Sequence, residues 1–365
     1  MSMTRPARAL IDLQALQSNF RQVRSAAPHS RIMAVIKSNG YGHGLQRVAK
    51  ALPAADAFAV ACLEEAMELR EAGVQQTVVL LEGFFEPREL ESISRFELDM
   101  VVHHASQLEV LEKVSLAKPV SVWLKIDTGM HRLGFMPKTL PDVMERLGNC
   151  SNVAKPLKFL SHLACADDRD SNTTGSQLAE FIQVTKGLQG ERSLANSAGL
   201  LAWPKTQLDW VRPGIMLYGA SPLRGKAADD LDLQPVMTLT SRLIAVTHCH
   251  RGDAVGYGGD WVCPEDMLIG VAAIGYGDGY PRHAPSLTPV LVNGRQVSLV
   301  GRVSMDMIML DLRSQPTAKA GDAVQLWGSD LAVDDVARHA GTIAYDLFCG
   351  VTARVAVEVI EADKR

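Results

Sequence analysis

The sequence contains no apolar run long enough to cross a membrane, since no window reaches the roughly 18 uninterrupted apolar residues that a spanning helix needs. Neither sign of charge is in large excess, because the net charge is only −4 over 365 residues. The first residues, MSMTRPARALIDLQ, lack the apolar core of a secretion signal. We therefore expect that neither nucleic acid nor a membrane is a partner of this protein.

Cysteine is sparse, with six residues and no C-x-x-C pair. Their scattered positions are typical neither of a disulfide framework nor of a zinc site, and they suit a reducing cytoplasm. The motif HCH at residues 248–250 would place two histidines on one face of a strand, but the sequence offers no third ligand nearby. We therefore predict a cytoplasmic protein with no metal ion in its active site.

Short apolar segments alternate with segments of helical spacing up to about residue 218. The candidate strands are 33–36, 57–61, 77–81, 99–103, 121–126, 157–163, 192–195 and 208–211. In LEEAMELREAG, for example, Leu63, Ala66 and Arg70 recur at three- and four-residue steps, and Gly73 stands where a helix would end. This alternation predicts a closed parallel (β/α)₈ TIM-like barrel over residues 1–220. An open doubly wound sheet is the alternative, because periodicity does not show closure.

After about residue 219, short apolar runs are broken by turn signals without intervening helices. Asn293 and Gly294, between two such runs, favour a type I′ hairpin. A helix near 334–339 and a final strand in ARVAVEVI complete the segment. Residues 221–365 are therefore predicted to form a mainly β C-terminal domain.

Unusual polar residues occur where the predicted barrel strands end. They are Lys37, Lys125, His162 and Arg212. Each of them alone could be structural, as a snorkelling lysine, a core histidine or half of an ion pair. Barrel active sites are built at the carboxyl ends of the strands, so these distant residues are expected to converge there.

A second group follows the seventh and eighth predicted strands, where barrels commonly bind phosphate. Ser197, Gly214 and Ile215 occupy these positions, and glycine lets backbone N–H groups approach an anion. A phosphate site together with Lys37 at the same rim suggests pyridoxal phosphate, held as a Schiff base on the lysine amine.

Motifs along nearly the whole chain resemble those of alanine racemases. AVIKSNGYGHG, at residues 34–44, is similar to the family's pyridoxal-phosphate signature AVVKANAYGHG. Further matches follow in order: LKIDTGMHRLGF, SHLACAD, ANSAGL, VRPGIMLYGASP, VGYGGDW, IGYGDGYPR, GRVSMDM and GTIAYDL. The resemblance implies an isomerase that interconverts L- and D-alanine. LLEGFF and GYPRHAP resemble proteobacterial members of the catabolic type, some of which serve alanine catabolism. The sequence leaves open whether this protein serves catabolism or the supply of peptidoglycan precursors.

The resemblance implies two bases and a phosphate site. Lys37 would hold the cofactor and act as one base, and Tyr257 would be the second base, delivered by the other subunit of a homodimer. The phosphate would be held by Tyr41, Ser197, Gly214, Ile215 and Tyr345. Two bases are needed because racemisation removes a proton from one face of Cα and adds one to the other.

The resemblance also implies contacts to the cofactor ring and the substrate. His162 would lie beside the ring, and Arg212 would bond the pyridine nitrogen. Arg132 would reach the cofactor's phenolic oxygen and the substrate carboxylate, oriented by Lys125, which matches a lysine that is carbamylated in several members. Two further side chains would enter the same site, Tyr276 and Met305.

Alternative functions stay open on the sequence alone. A broad-specificity amino-acid racemase or a fold-related decarboxylase would use the same cofactor, although crowding by Tyr345 and Met305 would favour the methyl group of alanine. A non-catalytic cofactor carrier is a third alternative, but it would have no use for a second base in VGYGGDW. His43 has no assigned role, and we interpret it as a residue that caps or stabilises the turn.

Overall fold

The structure is a computed structural model that describes residues 4–360 and divides into two compact units. The first, called here the barrel unit, comprises Phe20–Leu217 and Pro222–Lys226. The second, called the β unit, comprises Tyr218–Ser221 and the described residues on either side, up to Asn19 and from Ala227 onward. Within residues 4–360, no helix combines the length and the apolar character needed to span a membrane.

Strand β1 (Arg8–Ile11) precedes the barrel and belongs to the β unit. The barrel strands are β2 (Arg31–Val35), β3 (Ala57–Val60), β4 (Thr77–Leu80), β5 (Asp99–Val102), β6 (Ser121–Lys125), β7 (Lys158–Leu160), β8 (Arg192–Asn196) and β9 (Trp210–Arg212). All neighbouring pairs are parallel, and β2 pairs with β9, which closes the barrel. The predicted (β/α)₈ barrel is therefore confirmed, and the open sheet is excluded.

Helices connect the barrel strands. They are α1 (Leu13–Ala26), α2 (Lys37–Tyr41), α3 (Leu45–Ala51), α4 (Leu63–Glu71), α5 (Glu89–Arg95), α6 (Ala105–Lys113), α7 (Leu140–Asn149), α8 (Thr173–Val184) and α9 (Ser197–Ala202). Of these, α2 is a single left-handed turn and not a regular α-helix. Each strand overlaps its predicted segment because parallel strands covered on both faces form short, nearly continuous apolar runs. β3 shows this pattern, since all four of its residues are buried.

Besides β1, the strands of the β unit are β10 (Met237–Cys249), β11 (Ala254–Val255), β12 (Trp261–Val262), β13 (Met267–Ala272), β14 (Pro289–Val292), β15 (Arg295–Val300), β16 (Ile308–Asp311), β17 (Ala323–Trp327) and β18 (Ala356–Val359). Eight of them form one sheet in the order β13-β16-β15-β14-β17-β10-β1-β18. β13 also pairs with β10, and β11 and β12 form a separate two-stranded ribbon. A mainly β second domain is thus confirmed.

Local predictions for this unit can be compared element by element. Asn293 and Gly294 both have positive φ, 49° and 74°, between paired strands β14 and β15, as a type I′ turn requires. The predicted helix near 334–339 is α10 (Val333–Ala340). A second short helix, α11 (Ala344–Gly350), was not predicted, because seven residues are too few for a clear helical period.

The predicted boundary at residue 220 differs from this division at the N-terminus. β1 pairs antiparallel with β10 and parallel with β18, so the first described residues lie in the sheet of the β unit. Nothing local in the sequence RALI indicates partners more than 200 positions away, since four residues give no usable period.

Candidate active site

The side chains predicted from strand ends lie at one end of the barrel. Lys125 and Arg212 are the last residues of β6 and β9, while Lys37 and His162 each follow a strand by two residues. Because all eight strands are parallel, these positions share the carboxyl-terminal rim, where barrel enzymes build their active sites.

Two segments that follow β8 and β9 form a candidate phosphate site, called here the phosphate pocket. Ser197 Oγ accepts a hydrogen bond of 2.9 Å from the Gly214 N–H. A Cβ added at Gly214 would lie 2.6 Å from the hydroxyl oxygen of Tyr41, so only glycine lets the phenol lie this close to the backbone. Ile215 is fully buried beside them. The predicted phosphate residues of the barrel unit therefore cluster.

Arg212 is buried and held by hydrogen bonds to the barrel. It donates to Ser193 Oγ at 2.6 Å, to the Ser161 carbonyl at 2.5 Å and to His162 Nδ1 at 3.5 Å. Burial lowers the pKa of Arg212 to about 10, so the guanidinium stays protonated at neutral pH. Burial and the charge of Arg212 hold the pKa of His162 well below its usual range, which keeps the imidazole neutral.

Positive charge is concentrated at this rim. Burial lowers the pKa of Lys125 to about 8, and the neighbouring charges of Arg212, Arg132 and Lys37 contribute. The same cations also depress the pKa of His162, so they surround one region. Lys125 and Arg212 are buried, and repulsion among these cations is relieved when an anion binds. This region is therefore suited to a phosphate or a carboxylate.

The turn after Lys37 is left-handed. Ser38, Asn39, Gly40 and Tyr41 have φ values of 55°, 54°, 61° and 52°. His43 is fully buried, and its Nδ1 donates to the Tyr41 carbonyl at 2.8 Å. Burial lowers the pKa of His43 to about 4, so the ring is neutral. The interpretation of His43 as a turn-stabilising residue is confirmed.

The other predicted residues belong to the β unit. Tyr257 lies between β11 and β12 and is 68% exposed, between glycines with φ of 76° and 77°. Tyr276 and Met305 are on adjacent segments, because the Tyr276 N–H donates to the Ser304 carbonyl at 3.0 Å and the Gly277 N–H to the Met305 carbonyl at 2.9 Å. Both side chains are exposed, as is that of Tyr345 on α11.

A buried carboxylate supports the segment that carries Tyr276. Asp278 accepts a hydrogen bond from the Gly275 N–H at 3.0 Å and forms ion pairs with Arg5 at 2.7 Å and Arg354 at 3.4 Å. Sequence reasoning missed this group, since its two arginines lie far from it along the chain.

Two further residues at the barrel rim were also missed. Glu65 binds the turn after Lys37, yet in the sequence it is an ordinary acidic residue in the first turn of a helix. His103 follows β5 and donates from Nε2 to the Glu82 carbonyl at 3.0 Å. Burial lowers its pKa, and Lys125 lowers it further. The strand-end rule that found His162 would have found His103.

The HCH motif forms a pair of rings in the β unit. The centroids of His248 and His250 are 5.2 Å apart, and His250 Nδ1 lies 3.5 Å from a carboxylate oxygen of Asp266. Over the stretch 4–360 there is no group of three side chains arranged to hold a metal ion.

Fold and site together define a (β/α)₈-barrel protein with a rim lysine beside a candidate anion site. Two family models match the sequence, the alanine racemase N-terminal domain over residues 11–222 and the C-terminal domain over residues 236–359. The alanine racemases of Vibrio parahaemolyticus and Shewanella loihica are each 54% identical to it, over 96% of this chain and 98% of their own length. The crystal structure of the biosynthetic alanine racemase from Pseudomonas aeruginosa superposes with a TM-score of 0.96 at 46% identity, covering 98% of this chain and all of that one. The chain belongs to the alanine racemase family.

Proposed function

We propose that this protein interconverts L-alanine and D-alanine, using pyridoxal phosphate held on Lys37. The observation that carries the proposal is the convergence of Lys37, the glycine-lined phosphate pocket and buried Arg212 at one rim of the barrel. The excess positive charge there fits a dianionic phosphate and a substrate carboxylate.

The contacts among the residues of the phosphate pocket support the assignment of the cofactor. Tyr41, Ser197, Gly214 and Ile215 would hold the phosphate together with Tyr345, and the Lys37 amine would bind the aldehyde. Bound pyridoxal phosphate supplies an electron sink that acidifies the proton on Cα of the amino acid.

Arg212 would set the reaction outcome. Its guanidinium remains charged near neutral pH and is already bonded to Ser161 and Ser193, so it would donate a hydrogen bond to the pyridine nitrogen without transferring its proton. The ring would then be a weaker electron sink than a protonated one. This restraint would disfavour transamination and would leave proton exchange at Cα as the main reaction.

Two bases on opposite faces of the substrate would move the proton. Lys37 would accept it from the D-isomer and Tyr257 from the L-isomer. Because His162 Nδ1 accepts from Arg212, its proton lies on Nε2, where it is available to stabilise a phenolate. The exposure of Tyr257 supports its delivery to the partner's site in a homodimer.

Arg132 would bind the substrate carboxylate, oriented by a carbamate on Lys125. Carbamylation needs a neutral amine, and a pKa of about 8 leaves roughly a tenth of Lys125 neutral at pH 7, several hundred times more than an ordinary lysine. An intact mass increased by one CO₂ per subunit and abolished in Lys125→Ala would support this assignment.

Shared sites can be tested by mixing two inactive variants. Lys37→Ala and Tyr257→Phe should each lose racemisation, because each lacks one base. In a heterodimer, one site then contains both wild-type residues and the other contains neither. Random mixing should restore about a quarter of wild-type activity, since half of the dimers are mixed and each has one working site. No recovery in verified heterodimers would refute delivery from the partner.

Substrate range separates the related functions. Exchange of the Cα proton of alanine with solvent, without carbon dioxide release, is expected, and serine and lysine should turn over more slowly. Equal turnover of all three would indicate a broad-specificity racemase, and carbon dioxide release a decarboxylase. Retained cofactor without exchange would indicate a carrier.

We place the enzyme in the cytoplasm.

A further inference from the structure

The turn between Lys37 and Tyr41 links two parts of the candidate site. Lys37 supplies the amine, and the hydroxyl of Tyr41 lies against Gly214 in the phosphate pocket. The intervening residues adopt left-handed φ values, which are unfavourable for Ser38 and Asn39 because both carry a Cβ. Such a conformation persists only where surrounding contacts hold it in place.

Glu65 holds the beginning of this turn. Its Oε1 accepts a hydrogen bond of 2.6 Å from the Ser38 N–H and one of 3.3 Å from the Asn39 N–H. Its Oε2 accepts one of 2.9 Å from the Ala61 N–H, immediately after β3. One carboxylate therefore fastens the backbone that follows Lys37 to the end of the neighbouring barrel strand. Bonds to a charged acceptor are stronger than bonds to a neutral one.

The end of the turn is held by other groups. Asn39 Oδ1 accepts from the Leu45 N–H at 2.9 Å, and the His43 ring donates to the Tyr41 carbonyl. These contacts fix Tyr41 and the following helix. The N–H groups of the two residues after Lys37 are instead bound by Glu65. Glu65 therefore holds the backbone from which the lysine side chain extends.

We propose that Glu65 is a positioning residue that fixes the Lys37 amine at the place where it reaches the cofactor aldehyde and Cα of the substrate. The proposal rests on the proposed function, because it assumes that Lys37 holds the cofactor and acts as a base. Glu65 accepts hydrogen bonds from backbone N–H groups, so it would act through the turn and not by touching the cofactor or the substrate.

The test compares Glu65→Gln with Glu64→Gln. Both changes remove one negative charge from the first turn of α4, so both weaken its interaction with the helix dipole equally. In Glu65→Gln, an amide NH₂ replaces one of the two acceptor oxygens that face backbone N–H groups. Glu65→Asp, which keeps the charge but is shorter by one methylene, serves as a milder second variant if Glu65→Gln is poorly folded.

The first measurement needs no turnover. Apoenzyme of Glu65→Gln should bind pyridoxamine phosphate, which has no aldehyde, with wild-type affinity, because the phosphate pocket is intact. It should capture pyridoxal phosphate on Lys37 more slowly, on the order of tenfold, because a small displacement of a reacting group is costly. Borohydride trapping followed by mass spectrometry quantifies the capture.

The second measurement separates the two bases. In Glu65→Gln, kcat should fall on the order of tenfold while KM changes little, since positioning acts on the reacting groups. The primary isotope effect with Cα-deuterated D-alanine should rise, and that with deuterated L-alanine should fall, because only the D-side proton moves to Lys37. Glu64→Gln should match the wild type in every measurement.

Three outcomes would overturn the proposal: capture rates equal to those of Glu64→Gln, equal loss of affinity for both cofactor forms, or lower thermal stability with unchanged isotope effects. The same outcomes in Glu65→Asp would overturn it if Glu65→Gln does not fold. Failure of the proposed function would be recognised separately, because the wild-type protein would then not racemise alanine at all.

Discussion

His43 should make the stability of this protein depend on pH in the acid range. Burial lowers the pKa of His43 from 6.5 to about 4, so the unfolded chain binds a proton that the folded chain excludes. His43 therefore makes its full contribution to the free energy of unfolding above about pH 7, and this contribution is lost as the pH falls. A difference of one pKa unit corresponds to about 1.4 kcal/mol, so the loss should be about 2 kcal/mol between pH 7 and pH 5 and about 3 kcal/mol by pH 4.

The variant His43→Asn isolates this contribution. The Asn Nδ2 group occupies the place of His Nδ1 and still donates to the Tyr41 carbonyl, but it does not titrate. At pH 7 the variant should be less stable because it fills the buried site less well. That deficit should shrink by about 2 kcal/mol at pH 5, because only the wild type loses stability through residue 43.

Urea unfolding of the wild type and of His43→Asn at pH 7.0, 6.0 and 5.0 gives a profile of the free energy of unfolding against pH for each protein. Both are measured at the same protein concentration and in the same cofactor state. All other titrating groups are common to both proteins, so the difference between the profiles belongs to residue 43. Parallel profiles would refute the reasoning, because they would mean that His43 is protonated equally easily in the folded and the unfolded chain.

Three further predictions concern the site and its support. Arg212→Glu should increase formation of the corresponding keto acid per racemisation event, because a carboxylate allows the pyridine nitrogen to be protonated, and an enzymatic keto-acid assay measures this ratio. Gly214→Ala should weaken cofactor binding, about tenfold by equilibrium dialysis. The reason is that the added Cβ would lie 2.6 Å from the Tyr41 hydroxyl oxygen, which would have to move away. Asp278→Asn should lower the free energy of unfolding by about 2 kcal/mol in urea, because it leaves two partly buried arginines without their shared carboxylate.

Substitutions elsewhere in the chain serve as matched controls for Gly214→Ala and Asp278→Asn. Gly148→Ala adds a methyl group where nothing lies within 4 Å, so cofactor affinity should not change. Asp335→Asn removes an exposed carboxylate paired with Arg338 and should change stability little. Weaker cofactor binding by Arg212→Glu without more keto acid would contradict the role of Arg212. Stability equal to that of Asp335→Asn would contradict the role of Asp278.

Local patterns in the sequence predicted the elements of the barrel, because parallel strands buried on both faces form short apolar runs between amphipathic helices. They favoured a closed barrel but did not show closure, which depends on β2 pairing with β9 about 180 residues later in the chain. They also missed β1, whose partners β10 and β18 follow the whole barrel. Pairing between distant segments leaves no mark within a window of ten or twenty residues.

In the candidate site, sequence reasoning identified side chains that share the barrel rim and missed those that support them. Lys37, Lys125, His162 and Arg212 were recognisable because a polar residue at the end of an apolar run is unusual. Glu65 was not recognisable, since acidic residues are common in the first turn of a helix. Its function becomes visible only when the backbone N–H groups that it binds are known.

The strained turn explains why the reactive and the supporting residues occur together. A chain that needed only a tight connection after β2 could use glycine at every left-handed position, without strain. Tyr41 must instead keep its phenol, because its hydroxyl faces the phosphate pocket at Gly214. The strain is therefore tied to the proposed chemistry, and it has to be offset by contacts from outside the turn. Glu65 at its beginning and His43 at its end supply those contacts, so loss of either should disturb the geometry between the amine and the phosphate pocket before it disturbs the barrel.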